Sequence, residues 1–170
     1  MNRKELLEQY VKSPNPTINS ELRNGIESKN ALLFDTLFEL GEVPPKLYRW
    51  MPNEYIRVDN NNTIVDPAYL SCSKSVDYFC KNVTEDNLAC LVIETQQKTK
   101  HINVQKELPN YNDEGEYILP RNLSLKLKRK EQCSNLTDME RFLCKEGSVV
   151  SAKELKGSGI NSFWVYYFVL

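Results

Sequence analysis

The chain changes character at Pro44-Pro45, and this break constrains the fold more than any other feature. Before it, apolar residues recur at helical spacing in three stretches, 4–12, 17–26 and 31–40. Gly41 supplies a helix stop, and the two prolines prevent the last helix from continuing. We therefore predict that residues 1–45 form a helical lead-in.

Beyond residue 45, short apolar or alternating runs are separated by turns rich in Asn, Asp, Pro and Gly. These runs predict strands at 46–51, 54–58, 69–72, 89–95, 101–105, 116–128 and 163–169. Two further helices are predicted at 74–82 and 137–145. We find no internal repeat and no long linker, so we expect one α+β domain over 1–170, with a mostly β core over 46–170.

The charge and the cysteine pattern argue against a nucleic-acid-binding protein and against a zinc protein. The net charge is −1, so no global basic field attracts nucleic acid. The basic run 126–130 alternates with leucines and is typical of the solvent side of a strand. Five irregularly spaced cysteines and a single histidine, His101, argue against a zinc site and favour reduced thiols in the cytoplasm. Neither a signal peptide nor a membrane-spanning segment is expected.

Two carboxylates stand at the start of an apolar strand in Glu114-Gly115-Glu116-Tyr117. Side chains two residues apart in a strand point to the same side, so Glu114 and Glu116 repel each other. A solvated acidic turn accounts for such a pair. An active site that stabilises a developing cation accounts for it as well.

Two further patterns add polar groups to apolar strands. Arg49 lies in Leu47-Tyr48-Arg49-Trp50, and a half-buried arginine needs an anion such as a phosphate or a carboxylate. Alternatively, Arg49 extends past Trp50 to solvent. In Tyr69-Leu70-Ser71-Cys72-Ser73, the two serine hydroxyls share a strand face and can fix a neighbouring carboxylate.

In this order, the three motifs resemble the catalytic set of the mono-ADP-ribosyltransferases, in the arginine–serine–glutamate class of bacterial exoenzyme toxins and their phage and animal relatives. The segment Glu116 to Arg121 is also similar to a segment of that family, as are Tyr10, Ile18-Asn19 and Leu22-Arg23 upstream. The resemblance implies N-terminal helices packed on two roughly perpendicular antiparallel sheets. The middle of the serine motif is Cys72 rather than threonine, and its side chain is expected on the opposite face.

The resemblance also implies roles for individual residues, with NAD as co-substrate and no metal. Glu116 would hold the nicotinamide ribose and stabilise its positive charge, and Ser71 would orient Glu116. Arg49 would grip the diphosphate, whereas Trp50, Ser73 and Phe79 would contribute to the nicotinamide pocket. Phe79 is equally consistent with a core aromatic residue.

Acceptor choice is implied by two more residues. Family members with Glu at the position of Glu114 modify arginine, and Tyr111 resembles the aromatic residue of the substrate-recognition turn. A half-buried loop aromatic is the other reading of Tyr111. We expect a monomeric ADP-ribosyltransferase, a glycosyltransferase by reaction type, that modifies a protein of the host or target cell. A membrane or nucleic-acid partner is not expected. An NAD glycohydrolase and a catalytically silent interaction module on the same fold are the alternatives.

Overall fold

A computed structural model describes residues 2–13, 16–78, 87–111 and 115–170. Three N-terminal helices, α1 (Arg3–Lys12), α2 (Thr17–Arg23) and α3 (Lys29–Asp35), lie within the predicted helical lead-in. Side chains cap the N-termini of α1 and α3: the Asn2 side chain accepts from the Glu5 amide, and the Ser28 side chain accepts from the Ala31 amide.

Within the described ranges, nine strands follow in chain order, interleaved with three more helices. The strands are β1 (Glu39–Glu42), β2 (Lys46–Pro52), β3 (Thr63–Asp66), β4 (Leu70–Ser73), β5 (Leu88–Glu94), β6 (Lys98–Asn103), β7 (Glu116–Leu119), β8 (Leu123–Cys133) and β9 (Phe163–Val169). The helices are α4 (Val104–Glu107), α5 (Leu136–Lys145) and α6 (Ala152–Gly157). This composition confirms the predicted α+β class.

The strands form one hydrogen-bonded series in the order β1-β6-β7-β4-β2-β5-β9-β8-β3. The series is narrowest between β2 and β4, which share the single pairing Tyr48↔Ser73. By contrast, β2 pairs with β5 over seven residues, and β4 pairs with β7 over four. The junction therefore separates a four-stranded group, β1-β6-β7-β4, from a five-stranded group, β2-β5-β9-β8-β3. One pairing departs from the expected antiparallel arrangement, because β5 and β9 run parallel.

Three clusters of buried side chains hold these layers together. The N-terminal helices pack on the four-stranded group through residues such as Leu7, Phe34 and Ile118. Helices α5 and α6 cover one face of the five-stranded group. The third cluster joins Leu70 and Cys72 of β4 to the strands of the other group. No helix within the described ranges has the length and apolar character needed to cross a bilayer.

Several local predictions were wrong. Helix α3 ends at Asp35 rather than Leu40, because residues 39–42 pair with β6 as β1 and leave the Leu40 side chain exposed. Residues 54–58 form no strand; a single 3-10 turn, Asn53–Tyr55, stands at their start. Residues 74–78 form turns rather than the beginning of a helix, and 79–82 lie outside the described residues.

The predicted strand 116–128 is two strands. The left-handed backbone of Asn122, at φ 57°, turns the chain between β7 and β8. Strand β3 and the short helices α4 and α6 had no counterpart in the prediction. In β8, Leu125 is buried while Ser124, Lys126 and Lys128 are exposed, which confirms the solvated-face reading of the basic run.

Candidate active site

A cleft of about 330 Å³ opens at the junction between β2 and β4. Three strands contribute its two described charged side chains and the serine between them: Arg49 from β2, Glu116 from β7 and Ser71 from β4. They are far apart in the chain, so the sheet topology brings them together. Among the described residues, fourteen line the cleft: Tyr10, Val11, Ser13, Pro16, Asn19, Tyr48, Arg49, Trp50, Ser71, Cys72, Ser73, Tyr78, Tyr111 and Glu116.

The centre of the cleft is a hydrogen bond between Ser71 and Glu116. Strands β4 and β7 pair antiparallel with Ser73 opposite Glu116, and Ser71 lies two residues away on the same side. The Ser71 hydroxyl donates to Oε1 of the half-buried Glu116 carboxylate. Ser73 is buried at the floor, where its Oγ accepts from the Ser75 amide at 3.0 Å. A hydroxyl thus fixes the direction of the one described carboxylate in the lining.

Arg49 crosses the junction beside this pair. Its Nη1 donates to the backbone carbonyl of Ser71 at 2.7 Å. Its Nε is buried and has no hydrogen-bond partner among the described residues. A buried donor without a partner is costly, so the guanidinium suits an anionic ligand that would complete its hydrogen bonds.

Trp50 lines the cleft, but its ring belongs to the core. The ring packs edge-on against Phe142 and Phe163 at centroid distances of 6.4 and 5.1 Å. Its Nε1 donates to the carbonyl of Val76 at 2.7 Å. Contact of Trp50 with a ligand would therefore fall to its backbone, whereas the side chain ties β2 to the segment that follows β4.

The loop before β7 contributes Tyr111 to the cleft. The Tyr111 hydroxyl donates to the carbonyl of Val11 at 3.0 Å, and the half-buried ring packs against the N-terminal helices. Glu114 and Phe79 lie outside the described residues. Gly115 has φ 67°, and its carbonyl accepts from the Lys74 amide at 3.0 Å. A glycine in the left-handed conformation thus directly precedes β7, the strand that begins with Glu116.

Eight of the described lining residues were not predicted as site residues, among them Tyr10, Asn19, Tyr48 and Tyr78. Asn19 Nδ2 donates to the Tyr10 hydroxyl at 3.0 Å and to the Tyr69 carbonyl at 3.1 Å. Burial raises the pKa of the Tyr10 phenol, which stays neutral. Tyr10 and Asn19 had appeared only in the upstream part of the resemblance, whereas the exposed aromatic ring of Tyr78 gave no periodic signal.

Cys72 contributes no reactive thiol. The residue is buried in the cluster between the two strand groups, as its position between the two serines predicts. Burial raises the pKa of its thiol to about 12, so the thiol stays protonated. In the described part of the chain, no three His, Cys, Asp or Glu side chains come together as metal ligands would.

No protein-family model matches the sequence, and no match is found among curated proteins. Solved structures do match. Plx2a, an ADP-ribosyltransferase toxin from Paenibacillus larvae, is 17% identical with a TM-score of 0.62, covering 98% of this chain and 84% of its own. The catalytic domain of VahC from Aeromonas hydrophila is 16% identical with a TM-score of 0.62, covering 99% of both chains.

An ADP-ribosyltransferase from Clostridium botulinum is 12% identical with a TM-score of 0.61, covering 100% of this chain and 88% of its own. At these identities the likeness is one of fold. It extends over nearly the whole of this chain and most of each neighbour. The protein therefore has the fold of the bacterial ADP-ribosyltransferase toxins.

Proposed function

We propose that this protein is an NAD-dependent mono-ADP-ribosyltransferase, which cleaves the nicotinamide–ribose bond of NAD⁺ and transfers ADP-ribose to a protein. One observation carries the proposal: on this fold, Ser71 donates to the Glu116 carboxylate in the cleft that also holds Arg49. A carboxylate held by a hydroxyl beside an arginine is what a reaction needs when it binds a diphosphate and develops positive charge on a sugar.

The chemistry of the lining fits this substrate. The buried Nε of Arg49 offers a donor for a phosphate oxygen. The exposed ring of Tyr78 offers an apolar face to a planar ring of a dinucleotide. The cleft lies between two strand groups, so a long substrate would contact both.

Glu116 would act on the ribose. As the C–N bond breaks, its electron pair leaves with nicotinamide, and positive charge develops on the ribose. The Glu116 carboxylate would stabilise this charge, and Ser71 would keep the carboxylate oriented. The nucleophilic atom of the acceptor then supplies the electron pair of the new bond and releases its proton to a base.

The test is incubation of the protein with NAD⁺ labelled in the adenosine part, together with a cell lysate. Nicotinamide release is measured by chromatography, and labelled proteins are identified by mass spectrometry. Transfer of label to a defined side chain supports the proposal. Fast nicotinamide release without a labelled acceptor would instead indicate an NAD glycohydrolase. A protein that neither binds nor cleaves NAD⁺ would be a silent module, and the proposal would be wrong.

We further propose arginine as the acceptor, because residue 114 is Glu rather than Gln. A guanidinium is protonated and planar, and it is a poor nucleophile until a carboxylate holds it and accepts a proton. Glu114→Gln should therefore lose transfer to a guanidino acceptor such as agmatine and keep nicotinamide release. ADP-ribose on asparagine, threonine, cysteine or a nucleobase would contradict this assignment and leave the transferase proposal intact.

A further inference from the structure

We propose that the turn at the end of α5, residues 146–149, is a positioning element of the cleft. It holds two of the segments that line the cleft, β2 and the chain directly after β4. This inference rests on the proposed function, because it assigns the turn a part in binding NAD⁺. None of its residues lines the cleft itself.

Glu146 holds β2. Its side chain is fully buried, with 0% of its surface exposed, and Oε2 accepts from Lys46 Nζ at 2.7 Å and from the Tyr48 hydroxyl at 2.9 Å. The other oxygen, Oε1, has no hydrogen-bond partner in the described part of the chain. Burying a carboxylate lowers the free energy of unfolding relative to an apolar side chain of similar size at the same position. Tyr48 makes the only β2–β4 backbone pairing and directly precedes Arg49.

Ser148 and Val149 hold the segment after β4. The Ser148 hydroxyl donates to Asp77 Oδ1, and the Val149 amide donates to Asp77 Oδ2 at 3.2 Å. Ser75 adds a third donor to the same carboxylate, at 3.3 Å. Tyr78 follows Asp77 immediately and lines the cleft. The place of Tyr78 at the cleft thus depends on a contact with a residue about seventy positions later in the chain.

The two held segments are also joined to each other. Trp50, next to Arg49, donates from Nε1 to the carbonyl of Val76 at 2.7 Å, and both side chains are buried in one cluster. The turn, β2 and the segment 74–78 therefore form a closed set of contacts. Loosening one contact at the turn should let Tyr78 or Arg49 shift and weaken substrate binding. Ser71 and Glu116 are bonded to each other from β4 and β7, so they should keep their geometry.

The first experiment compares Ser148→Ala with Ser151→Ala by steady-state nicotinamide release and thermal unfolding. Ser151 is a matched control, because it caps α6 three residues further along and its side chain bonds to Glu154 of that helix. Loss of a hydrogen bond to a charged group should raise the KM for NAD⁺ by about 5- to 20-fold in Ser148→Ala, with kcat within about twofold of wild type. Ser151→Ala should lower the Tm and leave KM unchanged. Ser148→Thr keeps the hydroxyl and should restore KM.

The second experiment tests the Glu146 contact with Tyr48→Phe, using Tyr55→Phe at an exposed position as control. Tyr48→Phe should raise KM and Tyr55→Phe should not. If KM stays at the wild-type value in both Ser148→Ala and Tyr48→Phe, the role of the turn is wrong. The same holds if Ser151→Ala raises KM equally, since KM then follows stability. A wild type that neither binds nor cleaves NAD⁺ overturns the proposed function and this inference together. If the wild type is active and the variants keep its KM, only the role of the turn is wrong.

Discussion

The proposed chemistry depends most on Glu116, so Glu116→Gln is the sharpest test. Glutamine keeps the size of the side chain and an oxygen that can accept from Ser71, but it removes the negative charge. The carboxylate is half-buried in the cleft, so an effective dielectric constant of about 20 applies. A charge pair about 4 Å apart is then worth about 4 kcal/mol. If that stabilisation is confined to the transition state, nicotinamide release should slow by about 10³-fold.

Two measurements separate chemistry from binding in this variant. Nicotinamide release gives kcat, and calorimetry gives the Kd for NAD⁺, which should stay near the wild-type value because Arg49 is untouched. Glu107→Gln is the matched control, since Glu107 is exposed at the end of α4 and does not line the cleft. Unchanged kcat in Glu116→Gln would refute the reasoning. So would a loss of kcat that is fully explained by lost NAD⁺ binding.

Three further outcomes follow from the site and its surroundings. Ser71→Ala should lower kcat by about 10- to 100-fold, since a hydrogen bond to a charged group is worth about 1.5–3 kcal/mol, and the check is the same release assay. Gly115→Ala should lower the Tm in thermal unfolding by about 2–8 °C, because φ is 67° and a Cβ would lie 2.6–2.8 Å from carbons of the Lys74 side chain. A Cβ at Gly157 would meet open space, so Gly157→Ala is the control and should leave the Tm unchanged. Alkylation of the native protein at about pH 8 should label exposed Cys144 and spare Cys72 and Cys133, whose thiol pKa values burial raises to about 12, as peptide mass spectrometry would show.

The sequence predicted those elements whose pattern is local and complete. Strands β2, β5 and β9 and helix α5 lie within about two residues of their predicted bounds, because each is an uninterrupted apolar or amphipathic run. Strand β1 was predicted as the end of a helix, since Leu37, Phe38 and Leu40 fit a helical spacing. Its pairing with β6, about sixty residues away, decides its conformation. The sequence around residues 39–42 does not indicate this distant pairing.

The same distinction applies to the site. Alternation along β4 correctly predicted that Ser71 and Ser73 share a side and that Cys72 turns away, and the motif order suggested that Glu116 would meet them. The contacts that hold β2 and the segment after β4 in place could not be predicted in this way. Asp77 with Ser148, and Tyr48 with Glu146, join residues 71 and 98 positions apart through polar side chains that look like ordinary surface residues in the sequence.

The cleft has a floor and a rim of different construction. Its floor is made of strand residues whose backbones are fixed by ladders, with Arg49 bonded across the narrow junction to Ser71. Its rim is made of connecting segments, which carry Tyr78 and Tyr111. A strand ladder tolerates little change without losing its register, whereas connecting segments vary freely in length and composition. In the proposed transferase, the bond-breaking chemistry should therefore depend on the floor. Variants of Arg49, Ser71 or Glu116 should change nicotinamide release, whereas variants of Tyr111, together with Glu114→Gln, should change the acceptor.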